Sequence, residues 1–232
     1  MRRVVVTGAN RGLGLEFTRQ LLARGDRVYA AVRKPGHSHE LTKLALAHPG
    51  RVSVLPFDAT KPATAVELVR EIGLVDDAID VLINNAGVLP PGERYGALEA
   101  KALVDAFTIN VVGATLLTQA ATPMLERGTA PRVVNVSSLL GSIGTRAAFG
   151  TPSYAISKAA LNMATRQLAF ELSARGIVAV AIHPGWVRTA MGGADAELEP
   201  AAAVASVLGV IDRLRGADAG RFLDWNGTEV PW

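Results

Sequence analysis

Tyr154 and Lys158 stand four residues apart in Pro152-Ser153-Tyr154-Ala155-Ile156-Ser157-Lys158, at the head of a long stretch with helical spacing. Residues four apart on a helix share a face, so a phenol and an ammonium lie side by side. A carbonyl that accepts hydride becomes an alkoxide and needs a proton. A free tyrosine has a pKa of about 10, too high for good exchange near neutrality. Lowering it to about 7 takes roughly 4 kcal/mol. One positive charge at about 4 Å supplies about that much at an effective dielectric of about 20. The pair therefore points to proton transfer at a carbonyl or an alcohol, with the lysine tuning the phenol.

A second constellation opens the chain. Thr7-Gly8-Ala9-Asn10-Arg11-Gly12-Leu13-Gly14 follows an apolar run and leads into a helical pattern. Three glycines let the main chain approach a pyrophosphate without Cβ clashes and permit positive φ. The helix start offers unpaired N–H groups and partial positive charge. The spacing is G-x-x-x-G-x-G rather than the commoner G-x-G-x-x-G. A ligand-free glycine turn is the plainer reading, but the strand-turn-helix context favours a dinucleotide.

Other chemistries are poorly served. There is no cysteine, which excludes disulfides, thiolate nucleophiles and zinc-thiolate sites. A serine hydrolase needs a histidine base. His37, His39 and His48 fall in the first third, and His183 directly precedes Pro184, with no evident partner for any of them. His37-x-His39 lacks a third ligand, so no metal is expected.

The elements that must position these groups alternate. Strands are expected at Arg3–Thr7, Arg27–Val32, Val52–Phe57, Val81–Asn84, Arg132–Ser137 and Ile177–His183, with a short last one from Phe222-Leu223. Helices are expected at Gly12–Arg24, Glu40–Ala47, Ala63–Ile72, Leu98–Leu125, Ser153–Arg175 and Ala201–Leu214. The strands are short and continuously apolar, as when both sheet faces are covered. Strand alternating with helix implies right-handed crossovers and an α/β Rossmann fold, a doubly wound parallel sheet of about seven strands. No internal repeat or linker divides the chain, so one domain over 1–232 is expected, with a small substrate-binding region around 186–203. Ligands in such sheets bind beyond the carboxyl ends of the strands, where both constellations fall.

Composition agrees with a globular chain of 232 residues, 49% hydrophobic and 19% charged, enough for a large core. The net charge of +3 is scattered rather than striped, which argues against nucleic acid. No apolar run is expected to reach bilayer-spanning length. The apolar start Val4-Val5-Val6 is too short for a signal peptide and reads as a strand, which leaves the cytoplasm as the default compartment.

With these motifs in order, the chain resembles the classical short-chain dehydrogenases/reductases. The resemblance rests on Thr7-Gly8-x-x-x-Gly12-x-Gly14, Asn84-Asn85-Ala86-Gly87, Asn110, Ser138, Tyr154-x-x-x-Lys158 and Pro184-Gly185, and covers nearly the whole chain. It implies that Ser138 donates to the substrate carbonyl oxygen, that Asn110 anchors a water in a proton relay with Lys158, and that Lys158 holds the nicotinamide ribose. It further implies cofactor contacts from Asn10 and Leu13, from Asp58 at the adenine, from Asn84, Ala86 and Gly87 beside the adenosine half, from Val187 at the carboxamide, and from Thr189 at the pyrophosphate. Within the family, the segment His183–Gly193 and the ending Arg221-Phe222-Leu223-Asp224…Pro231-Trp232 look most like sniffer-type carbonyl reductases and C-factor-like proteins. Those often carry Asp after the threonine, where this chain has Ala190.

NAD-specific relatives end the second strand on an acid that would repel a 2′-phosphate. Here Val32 takes that position, Arg33 follows, and Arg11 lies in the glycine turn, so NADP(H) is the expected cofactor. Leu139, Ile143, Phe149, Trp186 and Met191 should border the substrate, which predicts a hydrophobic ketone or aldehyde reduced with NADPH. The alternatives are an alcohol or hydroxysteroid-type dehydrogenase working oxidatively, or an NADP-binding sensor or signalling protein with little turnover. The resemblance also implies a homodimer or homotetramer through the helices Leu98–Leu125 and Ser153–Arg175.

Overall fold

Seven strands make up the sheet in the computed structural model, which describes all 232 residues. They are β1 (Arg3–Thr7), β2 (Arg27–Val32), β3 (Val52–Pro56), β4 (Val81–Asn84), β5 (Arg132–Val136), β6 (Val178–His183) and β7 (Phe222–Asp224). Every neighbouring pair is parallel, in the order β3-β2-β1-β4-β5-β6-β7. The order reverses between β1 and β4, so the loops leaving those two strands diverge and open a crevice.

Successive side chains on a strand point to opposite faces, and here both faces are apolar. Val4, Val6, Ile83 and Ile182 join a core with Leu21, Leu22 and Ile211, from α1 (Gly12–Ala23) and α7 (Pro200–Arg213). Val5, Leu82, Val133 and Ala179 join a second core on the other face. Leu68 of α3 (Ala63–Gly73), Leu117 of α5 (Gly113–Leu125) and Leu172 of α6 (Pro152–Ser173) complete it. The short α2 (His39–Ala47) packs its buried Leu41 beside the first core.

The amino-terminal edge of the sheet is closed by ion pairs. Asp80 accepts from the Arg3 main chain at 2.7 Å and from its guanidinium at 2.9 and 3.0 Å. Burial pushes the Asp80 carboxyl upward, but these bonds and the Thr129 amide win and hold it below the usual range. The candidate reactive groups stand at the opposite, carboxyl edge.

Two expectations about the long fourth helix are corrected. It starts at Ala100, not Leu98, and is not uniform: α4 (Ala100–Phe107) runs into a π-turn over Thr108–Val112 before α5 begins. The Asn110 side chain sits in that turn and bonds the main chain of Val88 instead of facing solvent. The stretch Ala100–Leu125 is also 26 residues long and apolar enough to cross a membrane by length and composition. Its place is within the domain, where buried Asn110 and Thr118 bond to Ser157 and Asn84 across neighbouring elements. β1, β2 and β4 keep their expected bounds, and the remaining boundaries move by one or two residues. Ser137 and Ile177 fall outside their strands.

Candidate active site

The glycine turn is locked from below by the loop after β4. The Thr7 hydroxyl accepts from the amides of Asn85 and Ala86 at 3.0 and 2.9 Å. The Asn85 side chain donates to the Thr7 carbonyl at 2.9 Å. Gly8 has φ +65°, and a Cβ there would stand 3.0 Å from the Ala86 Cα. Gly14 tolerates no side chain at all, because its Cβ would fall 2.2 Å from the Gly8 carbonyl. At Gly12, φ +53°, only the Thr189 side chain lies within 4 Å of a Cβ position, at 3.6 Å. The turn is therefore open toward Thr189. No side chain caps α1, and no acidic residue stands in its first turn. Its leading N–H groups are free for an anion. This glycine cradle fits a dinucleotide pyrophosphate, with the main chain of Asn10 and Leu13 on its rim.

At the adenosine end, Val32 is buried and Arg33 exposed, as is Arg11. Neither guanidinium joins any of the chain's ion pairs. Asp58 accepts from the Thr60 amide and hydroxyl at 3.0 and 2.7 Å. Burial pushes its carboxyl up, but those bonds and the charges of Lys61 and Arg33 hold it below the usual range. Arg33 is therefore close enough to Asp58 to be felt. Asn84 ties strand ends together, as an asparagine in this place can. Its amide donates inward to Asn135 at 2.8 Å and Thr118 at 3.1 Å, tying β4 to β5 and α5. Its side chain serves the sheet rather than the crevice.

Tyr154 and Lys158 emerge at the start of α6, 9% and 4% exposed. The Lys158 ammonium lies 5.5 Å from the centre of the Tyr154 ring and donates to the Val136 carbonyl at 2.7 Å. Burial dominates both groups. It pushes the phenol up to about 12, against a lowering hydrogen bond from Ser138, and drops the lysine to about 8. This corrects the expected phenol near 7: at this separation and depth, desolvation outweighs the lysine's attraction.

Ser138 ends the approach from β5 and caps a short 3-10 turn, Leu139–Gly141, with its hydroxyl accepting from Leu140 N at 3.2 Å. Asn110 accepts from Val88 N at 2.8 Å and donates to Val88 O and Ser157 Oγ at 3.0 and 2.8 Å. Its amide donors are thus spent on protein, which makes it a brace for the loop after β4. It still neighbours the lysine: a Cβ on Gly87 would stand 3.3 Å from Asn110 Oδ1 and 3.8 Å from Lys158 Nζ.

Beyond β6, Pro184 leads into Gly185 at φ +84°, where a Cβ would overlap Leu198 at 2.4 Å. The excursion closes on itself through a Val187–Leu198 bridge. Val187 is buried, and Thr189 Oγ1 accepts from Gly192 N at 3.1 Å. The five expected substrate residues, Leu139, Ile143, Phe149, Trp186 and Met191, are 43–77% exposed on the carboxyl-edge loops. They form an open apolar rim. The concavities of about 270 and 470 Å³ lie instead along the outer faces of α4, α5 and α6.

Three supporting residues escaped the sequence reading. Asn85 locks the glycine turn. Asn162 accepts from Ser137 Oγ at 2.6 Å and donates to the Gly141 carbonyl at 3.3 Å. Glu93 accepts from the Ser153 amide at 3.2 Å and from its hydroxyl, capping α6 from sixty residues upstream. Only Asn162 left a signal, one turn beyond Lys158 on the same face.

Comparison with known proteins bears on this geometry. The model of the short chain dehydrogenase family matches residues 2–199. The protein named C-signal, from Myxococcus xanthus, is 45% identical over 154 residues, 66% of this chain and 93% of that one. Carbonyl reductase Sniffer of D. melanogaster superposes with a TM-score of 0.95 at 32% identity, covering 100% of both chains. An NADPH-bound carbonyl reductase from chicken fatty liver superposes at 0.94 with 36% identity, over 100% of this chain and 99% of its own.

Proposed function

This chain belongs to the short-chain dehydrogenase family, and within it we propose an NADPH-dependent reductase of apolar ketones or aldehydes. The carrying observation is the buried Tyr154–Lys158 pair at the start of α6, with the Lys158 ammonium 5.5 Å from the centre of the Tyr154 ring. Burial favours the neutral phenol, which has a proton to give to a forming alkoxide. The carbonyl reductases that superpose on the chain support the reductive direction. NADP, when bound in its reduced form, supplies the hydride.

The chain's own residues divide the remaining work. The Ser138 hydroxyl donates to the carbonyl oxygen and orients it. Tyr154 delivers the proton to that same oxygen. Lys158 keeps positive charge beside the phenol and holds the ribose hydroxyls. Arg33 and Arg11, exposed and unpaired, take the 2′-phosphate in the fork geometry that guanidinium groups offer. The likeness to NADPH-bound carbonyl reductases supports this assignment.

A panel of ketones, aldehydes and diketones followed by nicotinamide absorbance tests the proposal. Tyr154→Phe is expected to lower turnover by about 10²–10⁴-fold while NADPH still binds. Undiminished turnover in that variant overturns the assignment. The resemblance to C-signal favours a second reading, a cofactor-binding signalling protein. NADPH binding without turnover of any carbonyl on the panel selects it.

We also propose that α4, α5 and α6 pair with a second copy. Val104, Phe107, Ile156, Met163 and Phe170 are 45–65% exposed on these helices.

A further inference from the structure

The last residues of the chain run back across the carboxyl edge. Val230 is buried with Phe222 and Ala181, and its amide donates to the Phe222 carbonyl at 2.8 Å. Trp232 then stacks on Phe222, ring centres 5.9 Å apart and planes 27° from parallel. From there the strap reaches past β6 to the loop that follows β5. The Ser142 hydroxyl, fully buried, donates to the Pro231 carbonyl at 2.5 Å, and the Gly144 amide donates to the Trp232 carbonyl at 2.6 Å.

That loop is the one that carries Ser138. Ser142 follows it by four residues, across the short 3-10 turn, and its amide closes the turn on Leu139 O at 3.0 Å. On its other side the loop is pressed against α6. A Cβ on Gly141 would lie 2.7 Å from the Lys158 main chain, and Asn162 holds the Gly141 carbonyl. The segment from Ser138 to Gly144 is thus gripped between the lysine-bearing helix and the strap. A hydroxyl that must meet a carbonyl oxygen within hydrogen-bond distance is sensitive to displacements well under 1 Å.

We propose that Ser142 is a positioning residue, coupling the Val230–Trp232 strap to the placement of the Ser138 hydroxyl. The inference rests on the reductase reading above. Ser142 is fully buried, out of reach of substrate and cofactor, and the glycine cradle follows β1, on the far side of β4. Loosening it is therefore expected to affect the chemical step and spare cofactor affinity.

The test compares Ser142→Ala, deletion of residues 231–232, and the two combined, in the full chain with NADPH and the best carbonyl of the panel. Each single change is expected to lower kcat about tenfold with the KM for NADPH unchanged. The combination is expected to be no worse than the deletion alone, since the deletion already removes the carbonyl that Ser142 bonds. The proposal is overturned if either single variant keeps kcat within twofold, if the two losses multiply, or if kcat and NADPH affinity fall together as in general unfolding. Absence of carbonyl turnover in the unaltered protein would instead refute the reductase reading.

Discussion

Lys158 should cost the folded protein stability, and the cost should vanish with rising pH. Its ordinary pKa of about 10.4 falls to about 8 through burial. Below pH 8 the lysine is charged in both folded and unfolded chains, and the folded chain bears the full desolvation penalty. That displacement corresponds to about 3 kcal/mol. Between pH 8 and 10.5 the unfolded chain holds one more proton than the folded one, so stability rises with pH across that window. Lys158→Met removes the charge but leaves the Val136 carbonyl, its 2.7 Å acceptor, without a partner. That loss costs about 1–3 kcal/mol at every pH. The variant is therefore expected to be as stable as the parent or slightly more so at pH 7, and clearly less stable at pH 10. The difference between the two proteins should move by about 2–3 kcal/mol over that interval. Urea denaturation of both proteins at pH 6.5, 7, 8, 9 and 10 measures it. A difference that stays constant with pH would refute the claim that burial has displaced the lysine's proton equilibrium.

Two further outcomes follow from the cofactor end. Arg33→Asp is expected to raise the Kd for NADPH by about 10–100-fold while barely changing NADH, the range for a charge-assisted bond; equal affinities in the parent, by fluorescence titration, would remove the arginine from the site. Gly14→Ala places a Cβ 2.2 Å from the Gly8 carbonyl. It should lower thermal stability by about 1–3 kcal/mol and weaken NADPH binding at least tenfold, read by melting with and without cofactor.

The parallel seven-stranded sheet and the Tyr154–Lys158 pair were legible because each depends on local pattern. Continuous apolar runs separated by helical periods admit few topologies, and a four-residue spacing settles a shared face. Asn85, Glu93 and Ser142 were not legible, because their partners stand 60 to 90 residues away. The π-turn at Thr108–Val112 was hidden for a different reason: its form depends on the Val88 main chain that Asn110 clasps, which helical spacing does not report. The proton equilibria of Tyr154 and Lys158 were misjudged through depth alone. A spacing argument supplies the neighbouring charge and leaves out the water that both groups lose.

The face of α6 that breaks the rules of core packing is the face that does the chemistry. Tyr154, Ser157, Lys158, Asn162 and Thr165 recur at helical spacing and are all buried, where a packing helix ordinarily presents aliphatic residues. Four of the five meet a polar partner. Thr165 takes the Asn135 amide at 2.8 Å, Asn162 takes Ser137, Lys158 takes the Val136 carbonyl, and Ser157 takes Asn110. The partners Asn135, Val136 and Ser137 are consecutive at the end of β5, so the stripe is a polar seam joining that strand end to the helix. Buried polar groups persist when every member is satisfied, and a seam of this kind fixes the register of helix against strand more tightly than interchangeable methyl contacts do. Ser138 is the next residue along that strand end, and its hydroxyl is brought to the phenol because the seam leaves the helix no other seat.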